Sequence, residues 1–162
     1  MKFLNYTWAT WFGSGFCPLA PGTAGSMAAI PFVWWFASAG HIPLLMFALF
    51  TFFTGVYVSG YIMKDQNAQD PQIVVIDEVC GMAISLLLIP SAEFAKFDMK
   101  SFFIILASFS SFRLFDIWKP WPASYFDGKM HNAWGMMLDD VAAGIYSMIA
   151  TFALYRLYDM IF

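Results

Sequence analysis

Seven charged side chains fall within residues 112–140, FRLFDIWKPWPASYFDGKMHNAWGMMLDD: Arg113, Asp116, Lys119, Asp127, Lys129, Asp139 and Asp140. Elsewhere charge is sparse, and only 12% of the 162 residues are Asp, Glu, Lys or Arg. Ionisable groups beside or inside apolar segments are costly and usually face a bundle interior or an aqueous cavity, which makes them candidates for chemistry. Arg113 and Asp116 are three apart and share one face of a helix. Lys119 extends that stripe, and Pro120 ends it, because the residue before a proline is pushed out of helical geometry. Trp118, Trp121 and Trp134 read as anchors at a membrane interface. That reading does not account for Asp116 or the Asp139–Asp140 pair.

A second acidic pair, Asp77–Glu78, lies one to two turns inside an apolar run over residues 73–90. Adjacent carboxylates there need protonation, basic partners or a metal. A hard cation such as Mg²⁺ takes oxygen ligands of this kind. At a helix N-terminus the same acids would gain modestly from the macrodipole. The two pairs echo each other. Ile76-Asp77-Glu78-Val79 and Leu138-Asp139-Asp140-Val141 each open an apolar segment, and Ser85 and Ser147 follow at the same offset.

A third feature carries no charge. Residues 13–26, GSGFCPLAPGTAGS, hold four glycines, two prolines and three hydroxyl side chains. Regular structure is not expected there. Backbone N–H groups about Gly22, Thr23, Gly25 and Ser26, with the positive end of the following helix, would make an anion-binding nest. A plain connecting loop fits the composition equally well. The Gly-Lys-Ser/Thr of a Walker A loop is missing.

These groups need elements to hold them, and composition says which kind. The chain is 60% hydrophobic and 20% aromatic, against roughly 45–50% apolar in soluble domains. This is an integral membrane protein. A net charge of −3 with scattered basic residues gives no nucleic-acid-binding pattern. Cys17 and Cys80 match no metal or redox spacing and read as small buried side chains. The start, MKFLNYTWATWFGSG, has too short an apolar core for a cleavable signal peptide, so the first membrane segment is expected to direct insertion.

The fold class expected is an all-α integral membrane protein. It would be one domain over residues 1–162, a bundle of about four to five membrane segments with an N-terminal interfacial helix over 3–12. The segments fall at 27–39, 44–63, 73–90, 102–118 and 141–162. Segment 27–39 is short enough to cross or to re-enter, and Arg156 and Asp159 are expected to pair at the end of the last one. His41 reads as a solvated turn residue and 91–100 as a solvated turn.

If all five cross, the glycine-rich stretch, 64–72 and 119–138 lie on one side. Lys64, Asp77, Glu78, Arg113, Asp116, Lys119, Asp139 and Asp140 then converge at one membrane face, an arrangement suited to an anionic, phosphate-bearing headgroup with a metal. Lys2, Lys64, Lys119 and Lys129 on that side, against Lys96, Lys100 and Arg156, favour it as cytoplasmic.

GSGFCPLAPGTAGS, IVVIDEVCGM, FRLFDIWKPWPASYFD and GMMLDDVAAG occur in the order and spacing of the phosphatidylglycerophosphatase A family, which the chain resembles over about residues 13–147. The resemblance implies a small multi-pass enzyme of the bacterial inner membrane. Such an enzyme uses Mg²⁺ to remove the terminal phosphate of phosphatidylglycerophosphate, leaving phosphatidylglycerol.

Phosphoryl transfer to water needs charge neutralisation, a held nucleophile and help for the leaving group. On that basis Asp77, Glu78, Asp139 and Asp140 are expected to hold one or two Mg²⁺ ions. Asp116 would be a further ligand or the base that orients water. Arg113, Lys119, Lys64 and the glycine-rich stretch would bind phosphate, although Arg113 could serve only to neutralise Asp116. His131 sits in the same stretch as a candidate proton donor. No DxDx[TV] or Cys-x5-Arg nucleophile motif is present, nor is the alcohol phosphotransferase signature, since Asp127-Gly128 is followed by Lys129-Met130. A different class remains open, a small transporter that couples a cation or protons through the buried acids.

Overall fold

A computed structural model describes all 162 residues, and it is all helix. Seven α-helices run in order: α1 Lys2–Ala9, α2 Pro21–Ala39, α3 His41–Gln66, α4 Ile76–Ser85, α5 Met99–Trp118, α6 Ala123–Lys129 and α7 Ala133–Ile161. Two 3₁₀ turns, Ser14–Phe16 and Ser91–Phe94, lie between them. Helices α3, α5 and α7 are long and apolar enough to cross a membrane. Their outward faces carry Leu49, Phe53, Leu106 and Ile149, all at least 42% exposed. In water that surface would be a liability; in hydrocarbon it is the expected solvent-facing side.

The sequence pattern and the structure part company at α4. The apolar run 73–90 reads as a crossing, but the helix has ten residues and spans only about 15 Å. It ends in turns at Leu86 and Ile89. Eight of its ten residues are buried, because protein surrounds it: α2, α3, α5 and α7 all pack against it. A helix that is apolar on every side is one buried on every side, and lipid is only one way to bury it.

Closest to α4 comes α7. At their crossing a Cβ on Gly81 would stand 2.9 Å from the Asp140 carbonyl oxygen, and one on Gly144 would stand 2.8 Å from the Gly81 carbonyl oxygen. Only glycine on both sides lets the two backbones touch, so the acidic pairs end up at the same level.

Two further boundaries move. The glycine-rich stretch is not one loop, since α2 already begins at Pro21. Proline suits that first position, where no N–H is needed. Gly25 is required inside the helix, because a Cβ there would stand 2.6 Å from Val75 Cβ. In the region expected as a loop over 119–138, the structure has α6 and the first turns of α7, whose start is fixed by Asn132 accepting the Trp134 and Gly135 N–H groups at 3.0 Å.

At the end of the bundle away from the acids, Lys100 pairs with Glu93 (2.9 Å) and with Asp159 (2.6 Å), while the Tyr155 hydroxyl donates to Glu93 (3.1 Å). Asp159 therefore pairs with Lys100 rather than Arg156, and the 91–100 turn is tied to α7. His41 is likewise no free turn residue, since its Nε2 hydrogen-bonds the Ile89 carbonyl at 3.0 Å. Helix α1 packs along the end of α3, where Lys2 and the Tyr6 hydroxyl both reach Asp65.

Candidate active site

The start of α2, the loop before α4, the first turn of α4, the end of α5, α6 and the second turn of α7 surround one cavity of about 580 Å³. Only three of its nineteen lining residues are hydrophobic, so it is built for a charged group and not for a lipid chain. The helix directions explain the convergence. Helix α3 ends where α2 begins, α4 leaves from there, α5 returns there, and α7 leaves again.

Each acidic pair is locked in the same way. Asp77 Oδ1 accepts the Glu78 N–H at 3.1 Å, and Asp139 Oδ1 accepts the Asp140 N–H at 3.0 Å. Two turns further on, the echo serines meet α5 at one residue. Ser85 Oγ and Ser108 Oγ are 2.5 Å apart, and Ser147 Oγ donates to the Ser108 carbonyl at 3.2 Å. The short sequence echo is thus a repeated way of mounting two carboxylates on crossing helices.

Within the cavity the acids divide. Asp77, Glu78 and Asp140 each offer an oxygen, and those oxygens lie within 4.8 Å of one another. Asp116 lines the same cavity. Glu78 Oε2 is buried and has no hydrogen-bond partner. Three converging carboxylates with an orphaned oxygen are an all-oxygen donor set, the kind that fits a hard divalent cation.

Asp139 faces differently. Lys119 Nζ bridges its Oδ2 at 2.7 Å and Asp127 Oδ1 at 2.5 Å. Lys119 closes α5 in the left-handed region, at φ 47°, which turns its side chain back over the cavity. Burial alone would lower the Lys119 ammonium's pKa, but the hydrogen bonds it donates to Asp127 and Asp139 outweigh that and hold it above the ordinary lysine value.

Arg113 Nη1 lies 2.6 Å from Asp116 Oδ2 and 3.9 Å from Glu78 Oε1. Its Nε and Nη1 are buried without an aligned hydrogen-bond acceptor, so the Asp116 contact is an ion pair that leaves donors unused. Gly22 makes room for this arrangement. A Cβ there would stand 3.1 Å from Arg113 Nη1 and would collide with Glu78 Oε1.

Of the residues expected from the sequence, Asp77, Glu78, Arg113, Asp116, Lys119, His131, Asp139, Asp140 and Gly22 line the cavity. Thr23, Gly25, Ser26 and Lys64 do not. Gly25 packs on Val75, buried Ser26 donates to the Gly22 carbonyl, and Lys64 is exposed on the last turn of α3. The nest expected from four residues reduces to the α2 start at Gly22, because the rest of the stretch is helix. Missed as a partner was Asp127, which only the short helix α6 brings back to Lys119. Asn132 also lines the cavity, and an Asn just before a periodic run was its available signal.

The phosphatidylglycerophosphatase A family model matches residues 7–161, nearly the whole chain. The chain belongs to the phosphatidylglycerophosphatase A family. Among its relatives is the phosphatidylglycerophosphatase A of Escherichia coli, 37% identical over 86% of this chain and 76% of the relative. The protein of the same name from Haemophilus influenzae is 41% identical over 90% and 85%. A third relative, from Bacteroides thetaiotaomicron, is 36% identical over 91% of both chains and is provisionally named a phosphatidylinositol-3-phosphatase. No solved structure matches the chain. Members of the phosphatidylglycerophosphatase A family are phosphatases by name, so a charged, oxygen-lined cavity at one end of membrane-length helices belongs to a family of lipid-phosphate enzymes.

Proposed function

We propose that this chain hydrolyses the terminal phosphate monoester of phosphatidylglycerophosphate to phosphatidylglycerol and phosphate, with Mg²⁺ held by Asp77, Glu78 and Asp140. The observation that carries the reading is the meeting of these three carboxylates with the unused donors of Arg113 in one polar cavity. The enzyme would sit in a bacterial inner membrane with this end of the bundle at the cytoplasmic surface, the side that the lysine count favours.

A divalent cation at the three carboxylates supplies Lewis-acid neutralisation of the phosphoryl charge. The remaining work falls to the chain. Arg113 donates from its unused N–H groups to phosphoryl oxygens, the kind of charge-assisted contact a guanidinium favours. The Gly22 N–H at the start of α2 adds a donor and the positive end of the helix. Lys119, held over the cavity by Asp139 and Asp127, contributes a second positive charge. Asp116 orients the attacking water and takes its proton. The water oxygen bonds to phosphorus as the bond to the glycerol oxygen breaks, and that oxygen receives, through cavity water, the proton that Asp116 has taken. Asp139, expected among the metal ligands, serves here as the anchor of Lys119.

A transporter reading finds less support, because the acids gather at one end of the bundle, at the first turn of α4 and the last turn of α5, rather than at mid-depth. The test is phosphate release by the purified protein from phosphatidylglycerophosphate and, in parallel, from phosphatidylinositol 3-phosphate. Release from the first at a clearly higher kcat/KM supports the proposal. Preference for the inositol lipid would overturn its substrate, and release from neither would overturn the enzyme reading.

A further inference from the structure

A second concavity lies along the bundle below the acids. All nine residues lining it are apolar, and its volume is about 220 Å³. Leu45, Leu49 and Phe52 of α3 form one wall, Val141 of α7 the other, and Cys80 and Ile84 of α4 the floor. We propose that this groove binds an acyl chain of the lipid substrate. The inference rests on the reading of the site as a lipid phosphatase and says where the apolar part of that lipid goes.

Three observations support it. The polar cavity has only three hydrophobic lining residues, so it cannot bury a hydrocarbon chain, and a lipid whose phosphate enters it must place its chains elsewhere. The groove opens on α3 and α7, both long and apolar enough to cross a bilayer, so hydrocarbon is the surrounding their composition calls for. Its floor is also continuous with the acids. Asp77, Cys80 and Ile84 follow at i, i+3 and i+7 on α4, one stripe that leads from the carboxylate cluster into the groove. Leu138, a further lining residue, is the neighbour of Asp139. From Phe52 to Leu45 the groove follows α3 for about 10 Å, which makes it a slot for part of one chain lying along the helices.

The experiment uses two photoactivatable lipids carrying the same diazirine acyl chain, one a phosphatidylglycerophosphate and the other a phosphatidylcholine. Each is crosslinked to the full-length protein in micelles, and the labelled peptides are mapped. Kinetics with dihexanoyl and dioleoyl phosphatidylglycerophosphate accompany the mapping. The phosphatidylglycerophosphate probe is expected to label the Leu45–Phe52 and Cys80–Ile84 peptides well above the phosphatidylcholine probe. Leu49→Trp, at a half-exposed position that tolerates bulk, is expected to abolish the excess. It should also lower kcat/KM for the dioleoyl lipid roughly tenfold, about 1.4 kcal/mol, and leave the dihexanoyl value nearly unchanged. Ile149→Trp, on α7 outside the groove, should change neither readout.

Equal labelling by the two probes would overturn the proposal and make the groove ordinary lipid-facing surface. A Leu49→Trp loss that is the same for both chain lengths would overturn it too. Absence of phosphate release by the wild type would instead defeat the phosphatase reading, and the labelling comparison would still report on the groove.

Discussion

Lys119 tests how far a single contact in the site can be trusted. It joins Asp139 on α7 to Asp127 on α6, and both acids hold its pKa above the ordinary value. A raised cation contributes fully below its unfolded pKa, about 10.4, and loses its contribution only as pH climbs through the higher folded value. The difference in thermal midpoint between wild type and Lys119→Met should therefore stay constant from about pH 8 to pH 9, where the bridging acids are ionised and the ammonium is charged in both states. A difference that shrinks across that window would mean the bridge does not form. Lys119→Met and Asp139→Asn remove the same contact, so their effects on kcat/KM should fall short of additive, with a coupling of about 0.5–3 kcal/mol in a double-mutant cycle. If the two effects simply add, Asp139 faces something other than Lys119.

At the scale of elements, the glycine contact between α4 and α7 sets the distance between Asp77 and Asp140. A methyl group on Gly144 would meet the Gly81 carbonyl oxygen and force the helices apart. Gly144→Ala should lower kcat about a hundredfold, the order expected when a catalytic group moves by roughly 1 Å. Overpacking should cost about 1–3 kcal/mol of stability in denaturant titration. Unchanged kcat would separate the crossing from the chemistry.

This contact also shows what the sequence could convey. The acidic pairs, the Arg113–Asp116 stripe and the three long apolar helices were legible because charge in an apolar chain is rare and helical spacing is regular. The division of labour between Asp139 and Asp140 was not. They are adjacent in sequence, but successive residues on a helix point about 100° apart, so one meets Lys119 and the other the α4 carboxylates. The α4 boundary was equally hidden, because burial by protein and burial by lipid leave the same apolar pattern. Only the turn after Ser85 distinguishes them, and no glycine announces it.

For the whole molecule, the two ends of the bundle have different jobs. The cavity end holds the acids, while the opposite end holds Lys100 between Glu93 and Asp159, with the Tyr155 hydroxyl on Glu93. That network ties the turn after α4 to the last turns of α7. Lys100→Met should lower the thermal midpoint by a few degrees, as a loss of about 1 kcal/mol would. In assays well below the midpoint, kcat/KM should change by less than about twofold, since sites this far apart and without shared partners act independently. A large loss of activity at unchanged stability would mean the far end communicates with the cavity.

The central claim is that Asp77, Glu78 and Asp140 together hold the divalent cation that phosphate release requires. Its most direct test is the Mg²⁺ dependence of phosphate release from phosphatidylglycerophosphate by the purified protein, wild type beside Asp140→Asn, with excess EDTA as the zero point. The account expects wild-type release to vanish with EDTA and return with Mg²⁺. It expects Asp140→Asn to need far more Mg²⁺ and to stay at least about a hundredfold slower at saturation, the order of a lost electrostatic contact to the reacting group. Wild-type release that survives EDTA, or an Asp140→Asn enzyme with the same Mg²⁺ dependence and rate, would contradict it.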